Sequence, residues 1–447
     1  MSKYCLSDIA DFISEKVDFS SIELEEYIST DNMLPDFNGI TLSSVEPSLN
    51  KCTKFKANDT LFSNIRTYFK KVWFADFDGS CSPDVIVMRT KNEELVLPEF
   101  LYLLICSEDF INFTVISSNG AKMPRGDKKA MLKYEFEIPS IEEQKIAINH
   151  YFKIKEKIQL NTQINQTLEQ ISQALFKSWF VDFDPVRAKV QALSDGLSLE
   201  QAELAAMQAI SGKTPEELTA LSQTQPDRYA ELAETAKAFP CEMVEVDGVE
   251  VPKGWEMKAL SDLGQIICGK TPSKSNKEFY GNEVPFIKIP DMHNQAFITQ
   301  TTDNLSLSGA NSQSKKYIPP KSICVSCIAT VGLVSMISKP SHTNQQINSI
   351  IPNDEQTSEF LYLSLKQPSM TKYLKDLASG GSATLNLNTS TFSKIEIMTP
   401  SKEIIDIFHN KVVYAFEKVL SNSIENKRLA EIRDLLLPNL LNGESDE

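Results

Sequence analysis

The segment IKEKIQLNTQINQTLEQISQALF at 154–176 is repeated later in the chain as AFEKVLSNSIENKRLAEIRDLLL at 415–437. A shift of 261 positions superimposes the two segments without a gap. The matched pairs include Asn161 with Asn422, Asn165 with Asn426, and Leu168 with Leu429. A gapless match of this length favours a duplicated half-chain over two unrelated amphipathic helices, which is the alternative interpretation.

Each copy has the periodicity of a helix. Apolar residues of the first copy recur at spacings of three, four and their sums, which predicts one apolar face made of Ile154, Ile158, Leu168, Ile171, Leu175 and Trp179. About 40 residues of helix would extend roughly 60 Å. Because such a face needs a partner, we expect the two copies to pair as an antiparallel coiled coil, with the matched asparagines setting its register.

Length, composition and charge predict a globular protein of several domains. The chain has 447 residues, 41% of them hydrophobic, which suffices for two or three domains. We expect a cytoplasmic protein with no membrane partner, because no apolar run spans a bilayer and the N-terminus lacks a signal peptide. The net charge is −15, and residues 191–250 carry 12 acidic and 3 basic side chains. This balance argues against a non-specific nucleic-acid binder.

The globular segments before the two helices follow the same order. The motif EFLYL occurs at 99–103 and again at 359–363, and a polar loop follows it at 117–130 and at 379–390. Strand pairs precede each EFLYL motif, and a short strand leads from each loop into a long helix. The fold class is therefore predicted as α/β, in the mixed α+β sense, with a pseudo-two-fold internal repeat.

The predicted organisation has six segments. They are a first globular domain at 1–139, a first spacer helix at 140–190, an acidic helical connector at 191–250, a second globular domain at 251–399, a second spacer helix at 400–442 and an acidic tail at 443–447. Antiparallel pairing of the helices would hold two similar domains apart in inverted orientation. Such an arrangement suits a target with two separated half-sites, and the different loop sequences predict different half-sites.

Several motifs give the chain a family resemblance over nearly its whole length. They are FSNIRTYFKKVWFADFDGSCSPDVIVMR at 62–89, GAKMPRGDKK at 120–129, QISQALFKSWFVDFDPVRAK at 170–189, VPKGW at 251–255, CIATVGLVS at 327–335, TNQQINSI at 343–350 and LLLPNLLNG at 435–443. Together they resemble the specificity subunits of type I restriction–modification systems. The long acidic connector departs from shorter members of that family.

The resemblance implies a function in double-stranded DNA recognition without catalysis. Each globular domain would be a target recognition domain for one half of a bipartite, asymmetric site. The helices would dock two modification subunits, which bind S-adenosylmethionine and methylate adenine N6, and restriction or translocase subunits would join them. ATP and magnesium would bind those partners, so no cofactor, metal or catalytic residue is expected on this chain.

Other motifs could carry chemistry but have simpler interpretations. Gly264 to Thr271 satisfies the pattern of a phosphate-binding loop, yet Pro272 follows and the interior Ile-Ile-Cys is strand-like. Cys324 and Cys327 form a CxxC without a second ligand pair, which favours buried thiols over zinc. The sequence also contains neither a methyltransferase Asn/Asp-Pro-Pro-aromatic motif nor a Gly-rich cofactor loop.

The candidate DNA-binding residues lie mainly in the two polar loops and have donor or acceptor side chains. Arginine can pair with guanine, lysines can hold phosphates, and amides and hydroxyls can contact base edges. The candidates are Ser118, Asn119, Lys122, Arg125, Lys128, Lys129, Lys270, Lys274, Lys277, Thr384, Asn386, Asn388 and Thr389. A solvated surface role is an open alternative for each of them, and Asn344 to Gln346 are further candidates.

Three other functions remain open from the sequence. A P-loop NTPase would bind ATP tightly, and the Lys270→Ala substitution would abolish this binding. A two-headed scaffold that never touches DNA would show no sequence preference even with its partners present. The chain could also serve another modification system with bipartite sites.

Overall fold

The computed structural model describes residues 2–18, 23–43, 51–118, 120, 123–246, 248–379 and 385–441. The chain forms two compact units, Met1–Ile158 with Arg428–Glu447, and Gln159–Lys427. The predicted tail at 443–447 and the candidates Asn119, Lys122 and Thr384 lie outside the described residues.

The first unit begins with a globular domain of short strands and helices. Its elements are β1 (Ser2–Cys5), α1 (Leu6–Ile9), β2 (Ala10–Phe12), β3 (Lys16–Asp18), β4 (Tyr27–Ile28), β5 (Lys51–Phe55), β6 (Thr60–Ser63), β7 (Val72–Phe74), β8 (Gly79–Cys81), β9 (Val85–Thr90), α2 (Pro98–Cys106), α3 (Glu108–Ile116), α4 (Lys128–Met131) and β10 (Glu135–Ile138). The strands form sheets in the orders β2-β9-β6-β7, β3-β5-β8-β4 and β1-β10. The helices α2 and α3 are separate, because the extended backbone of Ser107 ends α2 and its side chain caps α3.

The long first helix is followed by the connector. These elements are α5 (Ile141–Phe180), α6 (Asp184–Ser194), α7 (Leu199–Ser211), α8 (Pro215–Thr224), α9 (Pro226–Ala238), β11 (Met243–Val246) and β12 (Val249–Pro252). Pro215 and Pro226 each occupy the first turn of a helix, where the missing N–H is not needed. The hairpin β11–β12 was not predicted.

The second domain repeats the architecture of the first. Its elements are β13 (Glu256–Ala259), α10 (Leu260–Leu263), β14 (Gly264–Cys268), β15 (Tyr280–Ile287), β16 (Phe297–Ile298), β17 (Asp303–Leu305), α11 (Leu307–Asn311), β18 (Ile323–Ser326), β19 (Val334–Ile337), β20 (His342–Thr343), β21 (Ile347–Pro352), α12 (Ser358–Lys366), α13 (Pro368–Ala378), α14 (Thr389–Ser393), β22 (Glu396–Thr399) and α15 (Lys402–Leu441). The sheets have the orders β14-β21-β18-β19-β16, β17-β15-β20 and β13-β22.

Within the second unit, α5 and α15 pair in antiparallel orientation. The Asn161 amide donates to Asn426 Oδ1 at 2.9 Å, and the Asn422 amide donates to Asn165 Oδ1 at 2.9 Å. Further along, the rings of Phe176 and Phe408 are 6.0 Å apart. Because Asn422 and Asn426 are the repeats of Asn161 and Asn165, the contacts are reciprocal, as in a two-fold interface. The prediction that matched asparagines set the register is confirmed.

The prediction of the apolar face is wrong for one residue. Ile171 is 59% exposed, whereas the neighbouring Ser172 is 2% exposed and its hydroxyl donates to Leu168 O. The buried face passes through Asn161, Ser172 and Trp179, and therefore includes polar residues that a hydrophobicity pattern omits.

The second unit contains a buried histidine with a testable pH dependence. His342 is 0% exposed, stacks edge-on against Tyr317, and neither ring nitrogen has a hydrogen-bond partner among the described residues. Burial lowers its pKa from 6.5 to about 4. The unfolded chain therefore binds a proton between pH 6.5 and 4 that the folded chain does not, so stability decreases as the pH falls through this window.

We expect the free energy of unfolding of the second unit to fall by up to about 3 kcal/mol between pH 6.5 and 4 because of His342. Hydrogen exchange of the β18 and β21 amides at several pH values would measure this dependence. His342→Phe should reduce the slope, while His293→Phe, at an exposed position, should leave it unchanged. An unaltered slope in His342→Phe would contradict the assignment.

Candidate nucleic-acid interface

Three loops of the first domain meet at one end of the two central strands, β6 and β9, of its β2-β9-β6-β7 sheet. β6 and β9 are antiparallel and pair Ser63 with Val85, so the end of one strand adjoins the start of the other. The Asn64 N–H donates to Asp84 O at 2.8 Å, and the Gly126 N–H donates to Asn64 O at 3.2 Å. We call this surface, formed by residues 64–67, 82–84 and 123–127, the first edge.

Gly126 lies where these loops approach each other closely. A Cβ at this position would lie 2.3 Å from Met131 Cε and 2.9 Å from Asn64 Oδ1, so a larger residue would have to displace the ends of those two side chains. The bond from the Gly126 N–H to Asn64 O holds the predicted DNA-binding loop against the sheet.

The first edge carries both basic and acidic side chains. Arg125 is exposed, and its terminal nitrogen is 2.8 Å from Asp84 Oδ1. Asp127 caps α4 by accepting from the Lys129 and Ala130 N–H groups, which leaves the side chains of Lys128 and Lys129 exposed. These predicted residues share one surface.

Ser118 has a role inside the fold. Its hydroxyl donates to Val115 O at 2.7 Å, just beyond the end of α3. This bond helps to satisfy the last carbonyl groups of that helix. The structure therefore gives Ser118 a capping role, and Ser118 lies outside the residues that form the first edge.

The second domain repeats the same backbone contacts at the corresponding edge. The Cys327 N–H donates to Gln346 O at 2.8 Å, and the Leu387 N–H donates to Cys327 O at 2.8 Å. Ile328 bridges Asn386, as Ile65 bridges Arg125 in the first domain. We call the surface formed by residues 269–271, 327–329, 344–346 and 385–389 the second edge.

The second edge carries amides and hydroxyls where the first edge carries charges. Asn386 is exposed and corresponds in position to Arg125. Asn388 caps α14 by accepting from the Thr391 N–H at 2.9 Å, and the Thr389 hydroxyl donates to Asn348 Oδ1 at 2.9 Å. Asn388 and Thr389 therefore have structural roles that use part of their hydrogen-bonding capacity.

The predicted lysines of the second domain lie on the segment that leaves β14. The Lys270 N–H donates to Thr343 O at 2.9 Å, and its side chain is exposed. Beside it, the Thr271 hydroxyl donates to Gln345 Oε1 at 2.6 Å. Lys274 and Lys277 are exposed further along the same segment. Lys270 therefore belongs to the second edge.

Sequence reasoning missed two residues of the first edge, Arg66 and Asp84. Arg66 lies between two predicted strands, in a loop that contains no glycine or proline. Asp84 follows Pro83 in a short segment that carries no pattern of a binding site. Their position became evident only from the pairing of β6 with β9 and from the backbone bond between Arg66 N and Pro124 O at 2.8 Å.

Most of the residues that match the phosphate-loop pattern form a strand. Residues Gly264–Cys268 are β14 and pair with β21 from Pro352 to Asn348, so their backbone is extended and does not form the loop of convergent N–H groups that holds a phosphate. Lys270 also does not begin a helix, as that mechanism requires. The prediction that the interior of this segment is strand-like is confirmed.

The CxxC cysteines are buried thiols. Burial raises the pKa of Cys324 to about 12 and that of Cys327 to about 11. Their sulfur atoms lie 3.3 Å from Ser349 Oγ and Asn348 Nδ2 respectively. Across the described ranges there is no group of three or more His, Cys, Asp or Glu residues that could hold a metal ion. In the same ranges no helix has the length and hydropathy needed to cross a membrane.

Comparisons with known proteins agree with this architecture. The family model of the type I restriction modification DNA specificity domain matches residues 1–170 and 252–434. The type I restriction enzyme HindI specificity subunit of Haemophilus influenzae is 67% identical over 99% of both chains. The MjaIX specificity subunit of Methanocaldococcus jannaschii is 32% identical over 42% of this chain and 44% of its own.

A solved structure shows the same fold. The type I restriction–modification S subunit of M. genitalium matches with a TM-score of 0.53 and 14% identity, covering 98% of this chain and 95% of its own. The two family-model matches coincide with the two repeated domains and their long helices. The chain therefore belongs to the family of type I restriction–modification specificity subunits, the DNA-recognition components of these systems.

Proposed function

We propose that each domain contacts one half of a bipartite, asymmetric DNA site through its edge. The observation that carries the proposal is the repeated backbone framework of the two edges, which bear different side chains. Equivalent frameworks can dock on DNA in the same way, while the side chains that differ determine which bases are accepted. Arg125 against Asn386 is one such difference.

Exposed residues on the two edges and directly beside them supply both kinds of DNA contact. The lysines, Lys128 and Lys129 in the first domain and Lys270, Lys274 and Lys277 in the second, suit phosphate oxygens. Arg125 and Asn386 suit base edges in the major groove. Because the net charge is −15, we expect the partner subunits to complete the positively charged surface around the DNA.

The paired helices are the proposed dock for two modification subunits. Within the second unit, Leu160 and Ile171 on α5 are 51% and 59% exposed, and Tyr414 on α15 is 76% exposed. Large exposed apolar side chains on a helix pair favour a protein interface. Chemistry would then reside in partners: S-adenosylmethionine on the modification subunits, and ATP and magnesium on the restriction subunits, all in the cytoplasm.

The test is methylation mapping after co-expression of the chain with its modification subunit. Sequencing the host DNA for N6-methyladenine should reveal one gapped, asymmetric motif methylated on both strands. Replacing residues 123–127 should change only one half of the motif. A matched exchange at 91–94, which lie outside both edges, should change neither half.

Two outcomes would contradict the proposal. A complex that assembles normally but methylates no motif would favour a scaffold function. A change in both halves after replacement of residues 123–127 would show that the domains do not act on separate half-sites.

A further inference from the structure

Arg66 occupies a strained backbone position at the centre of the first edge. Its φ and ψ are 49° and 59°, in the left-handed region that residues with long side chains seldom adopt. Two hydrogen bonds hold it there: its N–H donates to Pro124 O at 2.8 Å, and its carbonyl accepts from the Phe69 N–H at 2.9 Å. Strain of this kind persists only where the surroundings enforce it, and it is concentrated at functional positions.

The second edge has the same conformation at the corresponding residue. Ala329 has a φ of 63°, and its N–H donates to Leu385 O at 3.0 Å. It is exposed, so this position of the framework presents its side chain at the surface. The first domain carries a guanidinium where the second carries only a methyl group.

The guanidinium of Arg66 has no acidic partner among the described residues. Its Nε is buried and lacks a hydrogen-bond acceptor in the described part of the chain, while the residue as a whole is half-buried. Arg89 and Arg125 in the same domain, by contrast, are paired with Asp59 and Asp84. An arginine held rigidly without a carboxylate is free to bind an external acceptor.

The residues that follow Arg66 also suit contact with bases. Tyr68 and Phe69 are 48% and 40% exposed, and their ring centroids are 4.7 Å apart. Exposed aromatic rings beside a cationic group can pack against unstacked or kinked base steps. In the second domain the corresponding loop has Val331, which is 3% exposed, so this feature belongs to the first edge.

We propose that Arg66 recognises a guanine in the half-site bound by the first domain. Its terminal nitrogens would donate to guanine O6 and N7, the arrangement by which arginine distinguishes guanine from the other bases. The bridge between Ile65 and Arg125 places Arg66 next to Arg125 in the framework of the first edge. This inference rests on the proposed function, because it assumes that the first edge contacts DNA.

The test compares complexes that contain wild-type chain, Arg66→Ala, Arg66→Asn and Arg66→Lys in the methylation-mapping assay. In the first two variants, the preference for guanine at one position of one half-site should fall by roughly 5- to 150-fold, the contribution of a good bidentate contact. The other half-site should be unchanged. Arg66→Asn guards against misfolding because asparagine tolerates the left-handed conformation, and Arg66→Lys should retain part of the preference.

Lys3→Ala is the matched control, since Lys3 is an exposed cation on β1, outside both edges. An unchanged motif in Arg66→Asn would overturn the proposal. A uniform loss of DNA affinity across all sequences would also overturn it if the salt dependence of binding fell by the equivalent of about one phosphate contact. That result would show that Arg66 contacts a DNA phosphate and not a base. A lower yield of assembled complex with an unaltered motif would overturn the proposal too, by assigning Arg66 to a protein interface. Failure of the proposed function is distinguishable, because wild-type complex would then show no gapped motif.

Discussion

Replacing Arg89 by alanine is expected to lower the free energy of unfolding of the first unit by about 3–5 kcal/mol, the usual effect of leaving a buried charge unpaired. Asp59 is 1% exposed, and its two oxygens accept from Arg89 Nε and the terminal nitrogen at 2.7 and 2.6 Å. Without Arg89, the one donor left to the carboxylate among the described residues is the Lys56 N–H at 2.8 Å. Urea unfolding followed by hydrogen exchange of the β6 and β9 amides would measure the loss.

Replacing Asp59 should have a smaller effect than replacing Arg89. The Arg89 side chain is 34% exposed, so its charge can reach water when the carboxylate is removed. We therefore expect about 2–4 kcal/mol for Asp59→Ala, and a double variant less unstable than the sum of the two. Lys3→Ala, which removes an exposed pair with Glu137, should change stability by less than about 1 kcal/mol. A larger loss in Asp59→Ala than in Arg89→Ala would contradict this asymmetry.

This ion pair also bears on recognition. Asp59 directly precedes β6 and Arg89 lies on β9, the two strands whose opposite ends carry Asn64 and Asp84. The pair therefore fixes the strands that position the first edge. We expect a destabilised first unit to weaken recognition of one half-site while the other half-site is still recognised.

The duplicated helices were predictable because a gapless repeat contains information that a single helix does not. The match of Asn161 with Asn422 and of Asn165 with Asn426 predicted a polar register, and the structure shows these residues in reciprocal contact. Ile171 was misassigned because a helical face a few residues wide cannot be placed by hydrophobicity alone when asparagine and serine lie inside it.

The site was predictable at the level of loops and only partly at the level of residues. The loops at 117–130 and 379–390 stand out as polar segments between helices and strands, and residues 123–127 and 385–389 within them lie on the two edges. Arg66 was missed because its importance depends on a left-handed backbone and on a bond to Pro124, neither of which has a local sequence pattern. Asp84 was missed because its pairing with Arg125 spans distant parts of the chain.

Trp179→Ala is expected to lower the free energy of unfolding of the second unit by about 3–5 kcal/mol, the usual effect of truncating a buried aromatic side chain. Trp179, near the end of α5, is 0% exposed. Its ring meets Phe239 after α9 at 5.0 Å and Phe408 of α15 at 5.8 Å between centroids. The cavity would therefore open where the first helix, the connector and the second helix converge.

Trp179→Phe separates the loss of volume from the loss of the indole N–H. The Nε1 atom is buried and has no acceptor among the described residues, so removing it relieves a desolvated donor. A phenyl ring retains most contacts with Phe239 and Phe408, and we expect less than about 1.5 kcal/mol of destabilisation. Thermal unfolding of both variants, with hydrogen exchange of α15 amides, would measure the difference. Similar losses of unfolding free energy in Trp179→Phe and Trp179→Ala would show that the indole N–H has a partner. Packing alone would then not explain why a tryptophan lies where the two helices and the connector meet.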